Sequence, residues 1–120
     1  MQRIFHIVER GAWALAESAG EYRPDSLLTD GFVHFSFADQ VADTANLLFA
    51  DAVNICVVEF DPERSGLTVV LEDSYGSGTQ FPHVYGPIPT SAAVAVYDLD
   101  KDADGRYRFS PGAGDAAAPA

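Results

Sequence analysis

Helical signals end by residue 50 of this chain, and every apolar run after it reads as strand. Two amphipathic stretches, residues 9–19 and 37–50, come early. Runs at residues 53–60, 67–71, 81–85 and 92–99 follow. Each is rich in β-branched or aromatic residues and is closed by glycine, proline or acidic residues. Residues 106–109 offer one more short return. Two further strand-like runs, residues 3–8 and 32–36, flank the first helical stretch. Both helices fall in the first half, and strands dominate the second. The pattern therefore excludes a doubly wound parallel sheet and predicts an α+β domain, with two helices in its N-terminal half and a mainly antiparallel sheet.

Local signals set the details. Gly20 is placed to end the first helix in the left-handed conformation. Pro24 breaks the segment after it, and Ser26-Leu27-Leu28 offers one helical turn. Ser36 and Asp39 form an S-x-x-D start signal for the second helix, with Val41, Ala45, Leu48 and Phe49 as its apolar stripe. Pro82 and Pro87 bracket residues 81–85 and predict an irregular or edge strand. Tyr75-Gly76-Ser77-Gly78-Thr79 reads as a flexible loop, suited to lie over a ligand. The acidic stretch at residues 98–105 lacks the spacing and terminal glutamate of a calcium loop, so it reads as a hairpin turn. Residues 1–110 are expected to form one domain, and residues 111–120, small and alanine-rich, a disordered tail.

Charge narrows the partners. With 18 acidic against 7 basic residues the formal net charge is −11. Such a surface repels a phosphate backbone and argues against broad nucleic-acid binding, while leaving room for one nucleotide in a local pocket. No apolar run approaches the roughly 18 residues that cross a bilayer, so no membrane partner is expected. The first residues lack the pattern of a signal peptide. The single cysteine, Cys56, lies in an apolar run and reads as a core residue. Together these point to the cytoplasm. Nothing in the sequence fixes an oligomeric state.

The candidate site rests on three histidines, the only ones in the chain. Each sits in an aromatic, strand-like phrase: Phe5-His6-Ile7, Phe32-Val33-His34-Phe35-Ser36 and Phe81-Pro82-His83-Val84-Tyr85. A strand alternates its faces, so Phe32, His34 and Ser36 share one side and Val33, Phe35 and Phe37 the other. The second set is a core face, and the first offers His34 and Ser36 to a cleft. His83 and Tyr85 point together by the same rule. Imidazole donates, accepts and gains a proton near neutral pH. The expectation is that His6, His34 and His83 or Tyr85 border one concave site.

At these residues the chain resembles a small bacterial family known as domain of unknown function 952. The resemblance rests on Ile4-Phe5-His6-Ile7, Trp13, residues 30–36 with Gln40, Glu72-Asp73 and residues 81–87, and covers residues 3–100. That family resembles a distant branch of the ADP-ribosyltransferase superfamily, whose nearest functional comparison is the RNA 2′-phosphotransferases that use NAD. The resemblance implies a split antiparallel sheet and NAD as a substrate. The superfamily's first-strand histidine falls on His6, and its second-strand histidine with a nearby hydroxyl falls on His34 and Ser36. Its third motif, often a glutamate, falls near residues 81–85. No glutamate stands there, which weighs against ordinary protein ADP-ribosylation and leaves NAD binding open.

On that reading, cleavage of the nicotinamide–ribose bond builds positive charge on the ribose, which the protein must hold and stabilise. His34 and Ser36 would fix the ribose, and Glu72 would act as base or charge stabiliser. His6 would bind a ribose hydroxyl, and Phe81 and Tyr85 would stack on a flat ring beside His83. Two alternatives stay open. The cleft is a nucleotide-binding module without catalysis, or the histidines hold a metal. Their spacings form no local ligand motif, so no metal is predicted.

Overall fold

The computed structural model describes residues 2–73 and 76–111. The expected tail beyond Pro111 and the loop residue Tyr75 lie outside them. Strand β1 (Ile4–Glu9) runs directly into helix α1 (Arg10–Ala19). Gly20 ends that helix at φ 82°, its N–H donating to the Ala16 carbonyl. A short β2 (Glu21–Tyr22) and a one-turn α2 (Ser26–Thr29) follow. Next come β3 (Val33–His34), β4 (Ser36–Phe37), a 3₁₀ turn (Ala38–Gln40) and α3 (Val41–Leu48). The second half supplies β5 (Ile55–Phe60), β6 (Val69–Glu72), β7 (Phe81–Val84), β8 (Ile88–Pro89) and β9 (Ala93–Asp98).

Every strand pairing is antiparallel, so the α+β class read from the sequence holds. The strands form a four-stranded sheet in the order β4-β1-β5-β9, a three-stranded sheet β3-β7-β6 and a β2-β8 ladder. The four-stranded sheet is buried on both faces. Ile4 and Val8 of β1, with Cys56, Val58 and Phe60 of β5, face one core, which also holds Trp13, Tyr22, Val33 and Phe35. Phe5, Ile7, Ile55 and Val57 face a second core, closed by Val41 and Ala45 of α3 and by Tyr107. Double burial explains why β5 is a continuous apolar run rather than an alternating one. Its one acid, Glu59, is 1% exposed. It accepts hydrogen bonds from Arg3 Nη1 (2.6 Å) and the Tyr97 hydroxyl (2.5 Å). Those two donors offset the cost of burying a charge.

Several expectations are corrected. The run at residues 32–36 is two strands, because the chain changes sheet at Phe35: β3 pairs with β7 and β4 with β1. Ser36 does not cap the second helix. The Phe37 N–H instead donates to Gln40 Oε1 (2.9 Å), and α3 starts only after the 3₁₀ turn. Leu48 leaves the stripe and is 56% exposed, since α3 ends there. Finally, β7 is the central strand of its sheet, not an edge. A proline is tolerated there because Pro82 makes only the acceptor half of its pair, taking the Phe35 N–H at 2.9 Å where β3 stops. The turn at residues 102–105 is a hairpin: the Asp102 carboxylate accepts the N–H groups of Asp104 and Arg106 and the Arg108 guanidinium. The expected last strand is reduced to one bridge, Lys101 with Tyr107.

Candidate ligand cavity and the histidine stations

A cavity of about 480 Å³ opens between β1, the β3–β4 changeover and α3. Four phenylalanines stand in its walls: Phe5, Phe35, Phe49 and Phe81. Ser36, Thr44 and Ser77 supply hydroxyls, His6 and His34 supply imidazole, and Ile7, Leu47 and Leu48 complete the lining. Four residues expected at a site therefore meet here: His6, His34, Ser36 and Phe81. The other three, Glu72, His83 and Tyr85, do not line the cavity.

His6 is fully committed. Its Nδ1 lies 2.6 Å from the His34 carbonyl oxygen and its Nε2 lies 2.7 Å from the Tyr22 hydroxyl. A carbonyl can only accept, so Nδ1 carries the proton and Nε2 accepts from the phenol. The ring packs against Tyr22 and Phe35 at centroid distances of 5.1 and 5.4 Å. Burial disfavours the imidazolium and lowers its pKa to about 4. The same burial raises the Tyr22 phenol to about 12. Both groups therefore keep these protons at neutral pH. His6 ties β1 to β2 and to the strand changeover, and has no free nitrogen for a ribose hydroxyl.

His34 is divided between two neighbourhoods. Its carbonyl takes the His6 bond, while its ring Nε2 meets Asp30 Oδ2 at 2.9 Å. Asp30 stands just past α2, which brings it within reach of a residue four further on. The His34 ring contacts Phe32 at 4.7 Å and His83 at 5.3 Å. Ser36 is buried, with its Oγ 3.5 Å from Thr44 Oγ1, at the outer limit of a hydrogen bond. It thus joins His34 at the cavity wall without touching its ring nitrogens.

A second station forms behind His34. His83 is 1% exposed and stacks on Phe32 at 3.9 Å and 15°. Its Nδ1 donates to Glu72 Oε1 (2.8 Å), which also accepts the Tyr85 hydroxyl (2.7 Å). These bonds, Tyr85's first, hold the Glu72 carboxyl below its usual range, and in return Glu72 raises the Tyr85 phenol. With Nδ1–H given to the carboxylate, Nε2 is left as an acceptor, buried and without a partner. His83 and Tyr85 do reach one group together, as strand alternation implied, but that group is Glu72 rather than the cavity. Among the described residues no cluster of three or more histidine, cysteine or acidic side chains is arranged to hold a metal.

Sequence reasoning missed Tyr22, Thr44 and Phe49 in this region. Tyr22 carried no signal, since β2 is two residues long. Asp73, named above only among the residues of the resemblance, accepts the N–H groups of Ser77 (3.0 Å) and Gly78 (2.7 Å) and so sets Ser77 at the cavity. Gln40 Nε2 donates to the Gln80 carbonyl (2.9 Å), fixing the approach to Phe81.

The chain belongs to the family described as protein of unknown function (DUF952), which matches residues 7–96. No curated protein matches it. It is similar to the crystal structure of protein CC0527 from Caulobacter crescentus, with 33% identity over 96% of this chain and 97% of that one, and a TM-score of 0.79. The solution NMR structure of CC0527 agrees, at 34% identity over the whole of both chains and a TM-score of 0.77.

Proposed function

We propose that this DUF952 protein is a binding module whose cavity takes a small planar ring. The ligand class the resemblance favours is an NAD-like or ADP-ribosylated nucleotide, presenting its nicotinamide or adenine ring. The observation that carries this reading is the set of phenylalanine rings around a 480 Å³ space, with hydroxyls of Ser36, Thr44 and Ser77 among them. A flat ring gains apolar burial between such walls, and a few hydroxyls fix its orientation. His34 borders the cavity and braces it through Asp30.

ADP-ribosyl transfer or hydrolysis is the second reading, favoured by one observation. An ionised Glu72 orients His83, whose buried Nε2 is an acceptor without a partner, the carboxylate–imidazole pairing on which a general base is built. Glu72, His83 and Tyr85 lie outside the cavity lining, so binding stands ahead of turnover. Titration with NAD, nicotinamide and adenosine, followed by amide NMR shifts, tests the first reading. Phe5, Ser36 and Phe81 are expected to shift, and His34→Ala to weaken binding by about 5- to 150-fold, the value of one or two hydrogen bonds. Unchanged affinity in a folded His34→Ala protein, or no shifts with any of the three ligands, rejects it. Release of nicotinamide from NAD tests the second, and its loss in Glu72→Gln would assign Glu72 as the group that orients the base.

A further inference from the structure

We infer that the cavity takes the adenine end of the nucleotide rather than its pyridinium end: an uncharged ring with an amino group beside a ring nitrogen, read by Ser36 and Thr44. The inference rests on the reading that the cavity holds a ring. It adds which ring enters and which residues recognise it.

Charge separates the two ends. In an NAD-like nucleotide the nicotinamide ring is a cation and the adenine ring is neutral. Among the described residues no lysine, arginine or carboxylate lines the cavity. His6, also in the lining, stays neutral at physiological pH because burial lowers its pKa to about 4. Asp30 and Asp73 bond lining side chains without lining the cavity themselves. Both are engaged, Asp30 by the His34 ring (2.9 Å) and Asp73 by the Ser77 hydroxyl (3.4 Å) and the N–H groups of Ser77 and Gly78. A pyridinium seated here would lose water and gain no counter-charge. That costs more than contact with the face of a phenylalanine returns. A neutral purine meets no such cost. The diphosphate finds no cation in the lining either, and stays outside in solvent.

Hydrogen bonding fixes the reading residues. With the Ser77 hydroxyl engaged by Asp73, Ser36 and Thr44 are the lining hydroxyls left to meet a ring. Ser36 is 4% exposed, and its Oγ has one hydrogen-bond partner among the described residues, Thr44 Oγ1 at 3.5 Å. A buried hydroxyl with one bond at the outer limit keeps unused capacity at the cavity wall. With Ser36 donating to Thr44, the Ser36 oxygen is left to accept and the Thr44 proton to donate. An acceptor beside a donor matches the adenine edge. The amino N–H meets Ser36, and the ring nitrogen takes the Thr44 proton. The nicotinamide carboxamide offers a similar edge, so its charge is what sets it aside.

Ribosides that share one sugar separate the terms: adenosine, purine riboside, which lacks the amino group, and nicotinamide riboside, which carries the pyridinium charge. Each is titrated into the full chain and followed by amide NMR. Adenosine is expected to bind about three- to tenfold tighter than purine riboside, the net value of one hydrogen bond, with nicotinamide riboside weakest. Ser36→Ala should abolish the difference between adenosine and purine riboside while leaving purine riboside unmoved. The comparison of ligands on the unaltered protein decides the matter even if that variant does not fold. Equal affinities for adenosine and purine riboside, a difference that survives in folded Ser36→Ala, or tighter binding of nicotinamide riboside overturns the inference. The ring reading then still stands, because the riboside that binds shifts Phe5, Ser36 and Phe81. If none of the three shifts those residues, the ring reading itself fails, and this inference with it.

Discussion

His6 and His83 occupy matching places and do different work. Each lies on a strand, is packed by an aromatic ring and uses Nδ1 as a donor within the protein. The second nitrogen separates them. His6 Nε2 is met by the Tyr22 hydroxyl, while His83 Nε2 has no partner. A buried histidine with both nitrogens paired is a strut, since any motion breaks two bonds at once. One with an open nitrogen keeps chemical capacity at the cost of an unpaired buried acceptor. The contrast also says where the molecule is committed to holding its shape. The strut lies beside the cavity, and the open ring lies beneath an ionised carboxylate.

The largest test of this contrast is His6→Leu. It leaves the Tyr22 hydroxyl and the His34 carbonyl without their shared partner and should cost about 2–4 kcal/mol in urea denaturation, two unsatisfied groups being involved. A cost below about 1 kcal/mol would remove the strut role.

Acid should produce the next largest effect, and its sign follows from proton counts. Unfolded His6 takes a proton near pH 6.5, whereas the folded ring does so only near 4. Between those values the unfolded chain holds more protons, so stability is full above pH 6.5 and falls as the pH drops towards 4. The expected loss across the window is about 2–3 kcal/mol. Glu72 has its folded value lowered, so its contribution is present above the ordinary carboxylate range and is lost only at lower pH, as acid titrates the folded group. Urea melts between pH 7 and pH 4.5 should show the His6 limb, and His6→Leu should flatten it. A slope that persists in the variant would assign the limb elsewhere.

The smallest effect belongs to His83→Phe. The ring stack on Phe32 is retained, one bond to Glu72 is lost, and the unpaired nitrogen disappears. A change of about 1 kcal/mol or less is expected from thermal or urea melts. If His83→Phe proves as costly as His6→Leu, the distinction between strut and open ring collapses.

The sequence disclosed the elements better than their assembly. The strands at residues 3–8, 53–60 and 92–99 and the first helix were legible because apolar periodicity and turn residues are local properties. The change of sheet at Phe35 was not, since one continuous strand phrase and two short ones have the same alternation. Pro82 misled for a related reason: proline excludes a strand only where its missing N–H is needed, and that depends on a neighbour 47 residues away, Phe35. At the site, His34, Ser36 and His6 were found because polar residues inside aromatic strand phrases stand out. Their partners Tyr22, Asp30 and Thr44 sit in ordinary surroundings and are chosen by tertiary contact. Glu72 was read as a base for the cleft, yet its place next to His83 follows from the β6–β7 register, Glu72 opposite Phe81, which no local pattern reveals.

The changeover at Phe35 has a consequence for how the molecule comes apart. A single residue joins the three-stranded sheet, through its amide on Pro82, to the four-stranded sheet that begins at Ser36. The His34 carbonyl on one side of it is bonded to His6 in the other sheet. Neither sheet can loosen without pulling on this link, so the two melt as one cooperative unit rather than as separate layers. The Phe35 amide proton is accordingly expected among those that reach solvent only when the whole domain opens. Exchange at that one position reports the global stability of the fold.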